Sequence, residues 1–539
     1  MKTATPEHID NEINKQMILL SNLCAQKNSF LPIFHLPPET LADIFIHGAQ
    51  CKYHEDNSSS PSCVPHWVNV SYVCRHWRNV ALNCSMLWTY HFTVSLRWTE
   101  ELMARSGQAP LKICIKDDYH IRLSLHHIVE KVLDHTERIQ ELCINIRGQS
   151  PHSVEDTLNH AFRSYTNGDG TLPLHTLKLY GCPLPSSAFS LSGVKTLFLC
   201  NILHPSPQDL VDLLATLIHM QALADLHLEN ALPSTRSFLS SGEFNVSPTF
   251  NLPSLACLFI AAPLSTVVTL LSCINVPLKT QLMLYIKSER GSSFHDYAQL
   301  PLIFAQRSNQ SEDLSSPSPA IHSLTIKFGH DRLGYLKFTI TASECGSPDL
   351  SMSYPPQHHD IPPVILVETK PWMSTRKMLR LVADICCTFP SAHVENLHII
   401  CPDKSSPYFW KKTLGHFNGL QHLKLSDGYM PHDLVSLLSL PPNGDPRGDA
   451  TSDRHATRRH ALVPALKGLE LCLITFDEYV NPPNAILCAL SARKALSPEY
   501  IQMTQCSLDG SNDDDCNRIT GLYLYDSLSG EYCATSTEQ

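Results

Sequence analysis

The template Leu-x-x-Leu-x-Leu recurs along this chain, and no other feature restricts its possible folds so strongly. Copies carry Ile139, Leu142 and Ile144; Leu174, Leu177 and Leu179; Val194, Leu197 and Leu199; Leu223, Leu226 and Leu228; and Leu255, Leu258 and Ile260. Later copies carry Ile321, Leu324 and Ile326; Val394, Leu397 and Ile399; Leu420, Leu423 and Leu425; and Leu466, Leu469 and Leu471, with a looser one at Leu278, Leu282 and Leu284. One such hexapeptide means little, but ten of them in a single chain define a repeat. Two leucines flanking one variable residue read as a short strand with both leucines on one face. Helical spacing fills several intervals: Leu125, Ile128, Val129 and Val132; Leu210, Leu213, Leu214 and Leu217 behind Ser206-Pro207; and Met378, Leu381, Val382 and Ile385. Strand, helix and strand at this pace predict an α/β solenoid with parallel strands and right-handed crossovers. The pace is uneven, from 20 residues between Leu177 and Leu197 to 73 between Leu324 and Leu397, so the longest interval holds either degenerate repeats or inserted loops.

The template resembles that of leucine-rich repeats. Because side chains alternate along a strand, the residue between the two leucines points away from the core. This predicts an outward ladder of Lys178, Phe198, His227, Phe259, Met283, Thr325, His398, Lys424 and Glu470. The ladder mixes aromatic, apolar and charged groups with no dominant sign, which suits a protein or peptide better than a polyanion, or else a solvated face with no dedicated ligand. Formal net charge is −10, so no overall basic field exists to hold nucleic acid.

A second pattern lies ahead of the repeats. Leu36-Pro37-Pro38-Glu39 leads into helical spacing at Leu41, Ile44 and Phe45, and Trp67, Val70, Val73, Cys74, Trp77, Val80, Ala81 and Cys84 come next at three- and four-residue steps. Three short helices with so much aromatic and β-branched surface leave part of it over for a partner or for the repeats. The segment resembles the F-box of fungal F-box-like proteins at Leu36, Pro37, Pro38, Glu39, Trp67, Val70, Ser71, Val73, Cys74, Arg75, Trp77 and Arg78, interrupted by a serine-rich insert from His47 to Pro65. The resemblance implies docking on a Skp-type adaptor within a cullin-RING ubiquitin ligase, through Leu36, Pro37, Pro38, Leu41, Ile44, Phe45, Val70, Val73 and Trp77. It implies that the remaining chain holds an unknown target protein. Trp67, Trp77 and Trp88 are expected to anchor the module internally, leaving Leu36, Pro37, Leu41 and Phe45 for the adaptor. The alternative is a repeat scaffold without ligase function, in which the helical module only caps the solenoid.

The expected organisation is an amphipathic helix over 1–28, bearing Ile9, Ile13, Met17, Leu20 and Cys24 and packed on the F-box-like module or the repeats behind it, the alternative being a short coiled-coil contact with another chain. The F-box-like module then spans 31–95 with its insert over 47–65, the solenoid 96–506 with a polar, mobile loop over 441–460, and a terminal cap and tail 507–539. After the module come a helix over Trp98–Arg105, a turn at Ser106-Gly107 and a strand over Leu111–Ile115, an arrangement shared with the fungal family. The uncharged run Ala256–Leu278 reads as a buried strand plus helix, because prolines and polar residues interrupt it. No secretion signal opens the chain, and the scattered cysteines sit in apolar runs as reduced, small hydrophobes, so a cytoplasmic or nuclear location is expected.

The chain contains no glycine-rich phosphate loop, no G-x-S-x-G, no H-E-x-x-H and no paired C-x-x-C. His126-His127, His358-His359 and Cys386-Cys387 are sequence neighbours that point in different directions, so no metal site is expected from them. Asp509–Asp515 lacks the closing glutamate of a calcium loop, and Arg447-Gly448-Asp449 sits in the polar loop as chance composition. The reading is a non-enzyme without cofactors, working by protein contact, with no membrane association.

Overall fold

In a computed structural model of the chain, the described residues are 5–51, 66–92, 95–116, 125–146, 158, 173–184, 191–202, 205, 207–233, 250–277, 279–287, 297–309, 321–330, 336–343, 365–369, 374–389, 391, 393–400, 406–438, 463–477, 483–491, 493, 497–508, 519–526, 529 and 531–535. The polar loop 441–460, the Asp509–Asp515 run, Arg447-Gly448-Asp449 and His358-His359 lie outside them, as do residues 52–65 of the insert. Two compact units divide the chain, one of Met1–Pro205 with Val211–Leu223, the other of Ser206–Leu210 with Ala224–Gln539.

The first unit opens with helix α1 (Pro6–Ser29), which ends one residue past the expected span and has no buried residue. The expected apolar packing is therefore absent along α1, which meets the module through a polar contact, Arg75 Nη1 donating to Asn22 Oδ1 at 2.9 Å. Thr5 occupies its N-cap, but its carbonyl, accepting from the amides of His8 and Ile9, does the capping and its hydroxyl does not. Next come α2 (Pro38–Cys51), α3 (Val70–Val73), α4 (Arg75–Asn83), α5 (Leu96–Ser106) and α6 (Leu125–Leu133). Helix α2 runs on through His47 to Cys51, so the first residues of the expected insert are helical.

Five strands of this unit form a sheet that is parallel throughout, in the order β1 (Tyr90–Phe92), β2 (Leu111–Lys116), β3 (Ile139–Asn145), β4 (Thr176–Tyr180) and β5 (Thr196–Cys200). The turn into β2 is fixed by Arg138, a buried residue whose Nε and Nη2 donate to the Ala109 carbonyl at 3.1 and 3.0 Å, while Nη2 also donates to Ser106 Oγ at 2.8 Å. A guanidinium forks onto one carbonyl and one hydroxyl without unmet polarity, so it is tolerated inside.

The second unit contains β6 (Asp225–Glu229), β7 (Phe250–Asn251), β8 (Cys257–Pro263), β9 (Ile274–Asn275), β10 (Gln281–Lys287), β11 (Ser323–His330), β12 (Leu336–Ser343), β13 (Ile365–Thr369), β14 (Asn396–Ile400), β15 (His422–Tyr429), β16 (Gly468–Phe476), β17 (Tyr500–Leu508), β18 (Ile519–Asp526) and β19 (Glu531–Thr535). Strands β7 and β9 pair apart from the rest. The main sheet runs β6-β8-β10-β13-β12-β11-β14-β15-β16-β17-β18-β19, with β12 antiparallel to both neighbours and β18 and β19 closing the end as antiparallel strands. The 73-residue interval between Leu324 and Leu397 thus holds two further strands, β12 and β13. They turn one step of the progression into a reversed three-strand meander. The helices Leu264–Cys273, Gln299–Asn309, Thr375–Cys386, Pro407–His416, His432–Leu438 and Pro483–Ser491 pack in succession against one another. The class is mixed α/β: a helical N-terminus, then a large, open and mainly parallel sheet region.

The template explains this sheet residue by residue. The paired leucines are buried in copy after copy, including Leu177, Leu179, Leu197, Leu226, Leu228, Leu397, Leu423, Leu425, Leu469 and Leu471. Each such side chain contributes about 1.5–3 kcal/mol by leaving water. Register is set just ahead of each strand, where the carbonyl after the first template residue accepts two amides from the next copy. His175 takes Lys195 and Thr196, Glu395 takes Gln421 and His422, and Gln421 takes Lys467 and Gly468. Two positions after the last template leucine the backbone turns left-handed, at Gly181, Asn201, Asn230, Asp427 and Leu473, and β17 does the same at Gln505, two positions after Met503. In β16 this bulge reverses the alternation, leaving Leu473 half exposed while Ile474 and Phe476 return to the core. Within the uncharged run, Cys257–Pro263 is a strand and Leu264–Cys273 a ten-residue helix, with Leu278 outside the described residues, and among the described residues no helix is long and apolar enough to cross a membrane.

Candidate protein-interaction site

Two kinds of surface carry the expected functional residues. The first is the helical module of the first unit. Leu41, Phe45 and Ala49 stand at successive four-residue steps on α2 and close against Trp67, Val68, Val80, Ala81, Leu87 and Trp88. Trp67 meets Trp88 edge to face at 5.1 Å, Phe45 lies 5.1 Å from Trp77, and Trp88 Nε1 donates to the Ala81 carbonyl at 2.7 Å. The Cys74 sulfur accepts the Trp77 amide and starts α4, and Ser71 Oγ donates to the Val68 carbonyl.

These contacts decide which expected adaptor residues are available. Leu41 and Phe45 lie inside the module's own core and present no surface to a partner. Leu36, Val70 and Trp77 are half-buried, whereas Pro37 and Pro38 are exposed. Ile44 is 48% exposed and Val73 58%, joined by Tyr72 at 63%, a residue that the family resemblance does not mark. The sequence pattern did not single out Tyr72, since the buried residue of α3 is Ser71 and the stripe member Val73 is itself exposed. Of the three expected anchors, Trp67 and Trp88 are buried and Trp77 packs half-buried against Phe45.

The second surface is the sheet face turned away from the buried leucines, taken in each unit separately. In the first unit, register aligns Cys114, Cys143, Lys178 and Phe198, with Lys178 Nζ 5.0 Å from the Phe198 ring centre. In the second it aligns His227, Phe259, Met283, Leu366, Thr341, Thr325, His398, Lys424, Glu470 and Gln502. The expected ladder is thus one cross-strand row in each unit. Leu366, Thr341 and Gln502 were missed because their strands do not carry the template.

The row in the second unit changes character along its length. His227 stacks on Phe259 at 3.9 Å, Tyr285 lies 5.1 Å from Phe259, and Phe259, Ala261 and Met283 form a small buried cluster with Leu366 beside it. Burial, with Glu368 nearby, pushes the Tyr285 phenol up to about 12. Farther along, the row is polar: Lys424 approaches Glu470 at 3.5 Å, His398 Nε2 meets Ser426 Oγ at 2.9 Å, and His422 Nδ1 meets the Tyr500 hydroxyl at 3.1 Å. Tyr500 crosses directly over Gly468, where a Cβ would lie 2.3 Å from the ring. Thr325, Phe259 and Met283 are themselves buried, so the half-buried His227, His398, Lys424 and Glu470 are the more available members.

Burial, aided by the Lys424 charge, lowers the His398 imidazole to about 4, with Asp427 opposing. Its folded value lies below its unfolded value of about 6.5, so between those two pH values the unfolded chain binds more protons and stability falls on acidification. Replacing His398 with Gln is expected to flatten the pH dependence of the urea midpoint between pH 6.5 and 4. Superimposable wild-type and variant profiles would contradict that environment for His398.

The N-terminal part is thus a tryptophan-anchored helical module with exposed apolar side chains, followed in sequence by repetitive strands with a mixed ladder. The comparison with protein families specifies this module: residues 33–93 match the F-box-like family, and an F-box-like domain occupies that stretch. No curated protein matches the chain.

Proposed function

We propose that this chain is the substrate-recognition subunit of an SCF-type cullin-RING ubiquitin ligase. The F-box-like domain docks a Skp-type adaptor, and the sheet region, a leucine-rich-repeat-like array, holds the target protein. The chain catalyses nothing itself and takes no cofactor. It contributes proximity, raising the effective concentration of a target amine near a charged conjugating enzyme. It works in the cytoplasm or the nucleus, and its kinship is with fungal F-box-like proteins. The observation that carries this reading is the F-box-like match over 33–93, on a module that leaves Pro37, Pro38, Ile44, Tyr72 and Val73 exposed. The test is co-purification of a Skp-type adaptor with the intact chain, and its loss when Ile44 and Val73 are both replaced by Glu.

One observation favours the capping reading as well. The module's core includes Leu102 of α5, with Trp98 beside it, and Arg105 lies 4.3 Å over the Trp88 ring. The segment Ser85–Thr89 leads straight into β1. Capping and docking are therefore compatible, and deleting residues 1–95 would expose Leu102 under either. Surface charge at Ile44 and Val73 separates them, since a cap alone has no use for those side chains.

A further inference from the structure

We propose that α1 is a self-association element, pairing antiparallel with α1 of a second copy of this chain. None of its 24 residues is buried. Ile9, Ile13, Met17, Leu20 and Cys24 fall on one arc of the helix, with Leu23 at its margin, and the large apolar members are 49–64% exposed. A stripe of this kind on a helix about 36 Å long is an interaction surface in search of a cover.

The sequence of the stripe indicates what covers it. A contact between two copies of one surface must be self-complementary about a two-fold axis. An axis passing between Gln16 and Met17 places Ile9 opposite Cys24 and Ile13 opposite Leu20, two apolar layers on either side of a central contact of Met17 with Gln16. Charge selects the direction. Glu7, Asp10 and Glu12 all lie in the first half with Lys15, which pairs with Glu12 at 3.6 Å, while the second half contains Lys27 and no acid, so the halves have net charges of opposite sign. A parallel pair would crowd the carboxylates of both copies together. The antiparallel pair separates them and opposes the helix dipoles. The helix alone offers less than the roughly 800 Å² per partner of a standard interface, so a micromolar dimer is expected. This inference does not depend on adaptor binding.

Sedimentation equilibrium of the intact chain tests it. Between about 1 and 100 µM the mass is expected to rise from 60.3 kDa towards twice that value. Ile13→Glu combined with Leu20→Glu is expected to hold it at 60.3 kDa at every concentration. Both side chains are exposed, so the fold tolerates the change. Direction is read by a short bis-maleimide cross-linker in a background with Cys488→Ser and Cys533→Ser, the exposed thiols besides Cys24 among the described residues, and with Cys51→Ser, Cys63→Ser, Cys345→Ser, Cys401→Ser and Cys516→Ser. Ile9→Cys is expected to cross-link to Cys24 of the second copy, whereas the two native Cys24 thiols, about 22 Å apart in this register, are not. A single 60.3 kDa species at 100 µM, or a dimer that survives the double glutamate variant, overturns the proposal. Cross-linking through Cys24 alone overturns the antiparallel arrangement.

Discussion

Replacing Trp88 with alanine is expected to destabilise the first unit by about 3–5 kcal/mol, the range for removing a large aromatic from a packed core. The ring is fully buried, meets Trp67 edge to face and carries Arg105 over its other surface. Its Nε1 also donates to the Ala81 carbonyl near the end of α4, so truncation leaves a cavity and strips that carbonyl of its shorter hydrogen bond, with only the Cys84 amide at 3.4 Å remaining. For a unit of this size the loss corresponds to a melting temperature lower by about 10 °C. Trp88→Phe keeps most of the volume and loses only the hydrogen bond, at a cost nearer 1 kcal/mol before repacking. Thermal unfolding followed by tryptophan fluorescence and circular dichroism checks both. A Trp88→Ala chain melting within a degree or two of wild type would mean that the module and α5 do not share this core.

Gly181→Ala is the second large effect. Gly181 follows β4 with φ of 75°, and a Cβ built on it would lie 2.2 Å from the Ile146 carbonyl oxygen. That oxygen is backbone at the end of β3, so no side-chain rotation relieves the clash. The same segment is pinned by the Ile146 amide donating to the Tyr180 carbonyl and the Gly181 amide donating to the Cys200 carbonyl, both at 2.8 Å. Left-handed backbone costs a non-glycine residue about 1 kcal/mol, and parting the two strands adds more, for a total of about 3 kcal/mol. Asn201 and Asn230 stand at the equivalent position of the next two copies with φ of 54° and 49°, so Asn201→Gly is expected to be nearly neutral. Chemical denaturation of the three chains checks the ranking. Equal midpoints for Gly181→Ala and wild type would contradict the close approach of β3 and β4.

The interior of the sheet was legible because its signal is local. A strand alternates with period two, so Leu-x-Leu states both that a strand exists and which face is covered. The order of strands is not local. Leu336–Ser343 alternates well but departs from the template, and nothing in its sequence says that it runs antiparallel between β11 and β13. In the helical module, Leu41 and Phe45 were expected to be left for an adaptor, and both lie in the core. The four-residue step from Leu41 to Phe45 to Ala49 says which way they face, and it sets Ile44 off the buried stripe. For α1 the amphipathic pattern was plain, yet a stripe shows that a helix has an apolar side and not what meets it. The left-handed exits carried a readable cue in Gly181, Asn201, Asn230 and Asp427, whereas Leu473 and Gln505 hold the same conformation with no chemical sign of it.

The central claim, that the F-box-like domain docks an adaptor through side chains its own core leaves free, is tested most directly by titrating purified Skp-type adaptor into the intact chain by calorimetry. Wild type is expected to bind, and Ile44→Glu with Val73→Glu to bind at least about 100-fold more weakly, as charge at the centre of an apolar contact costs several kcal/mol. Unchanged melting of the double variant would show that the loss lies at the surface. Equal affinities for the two chains, or no heat with either, would contradict the account.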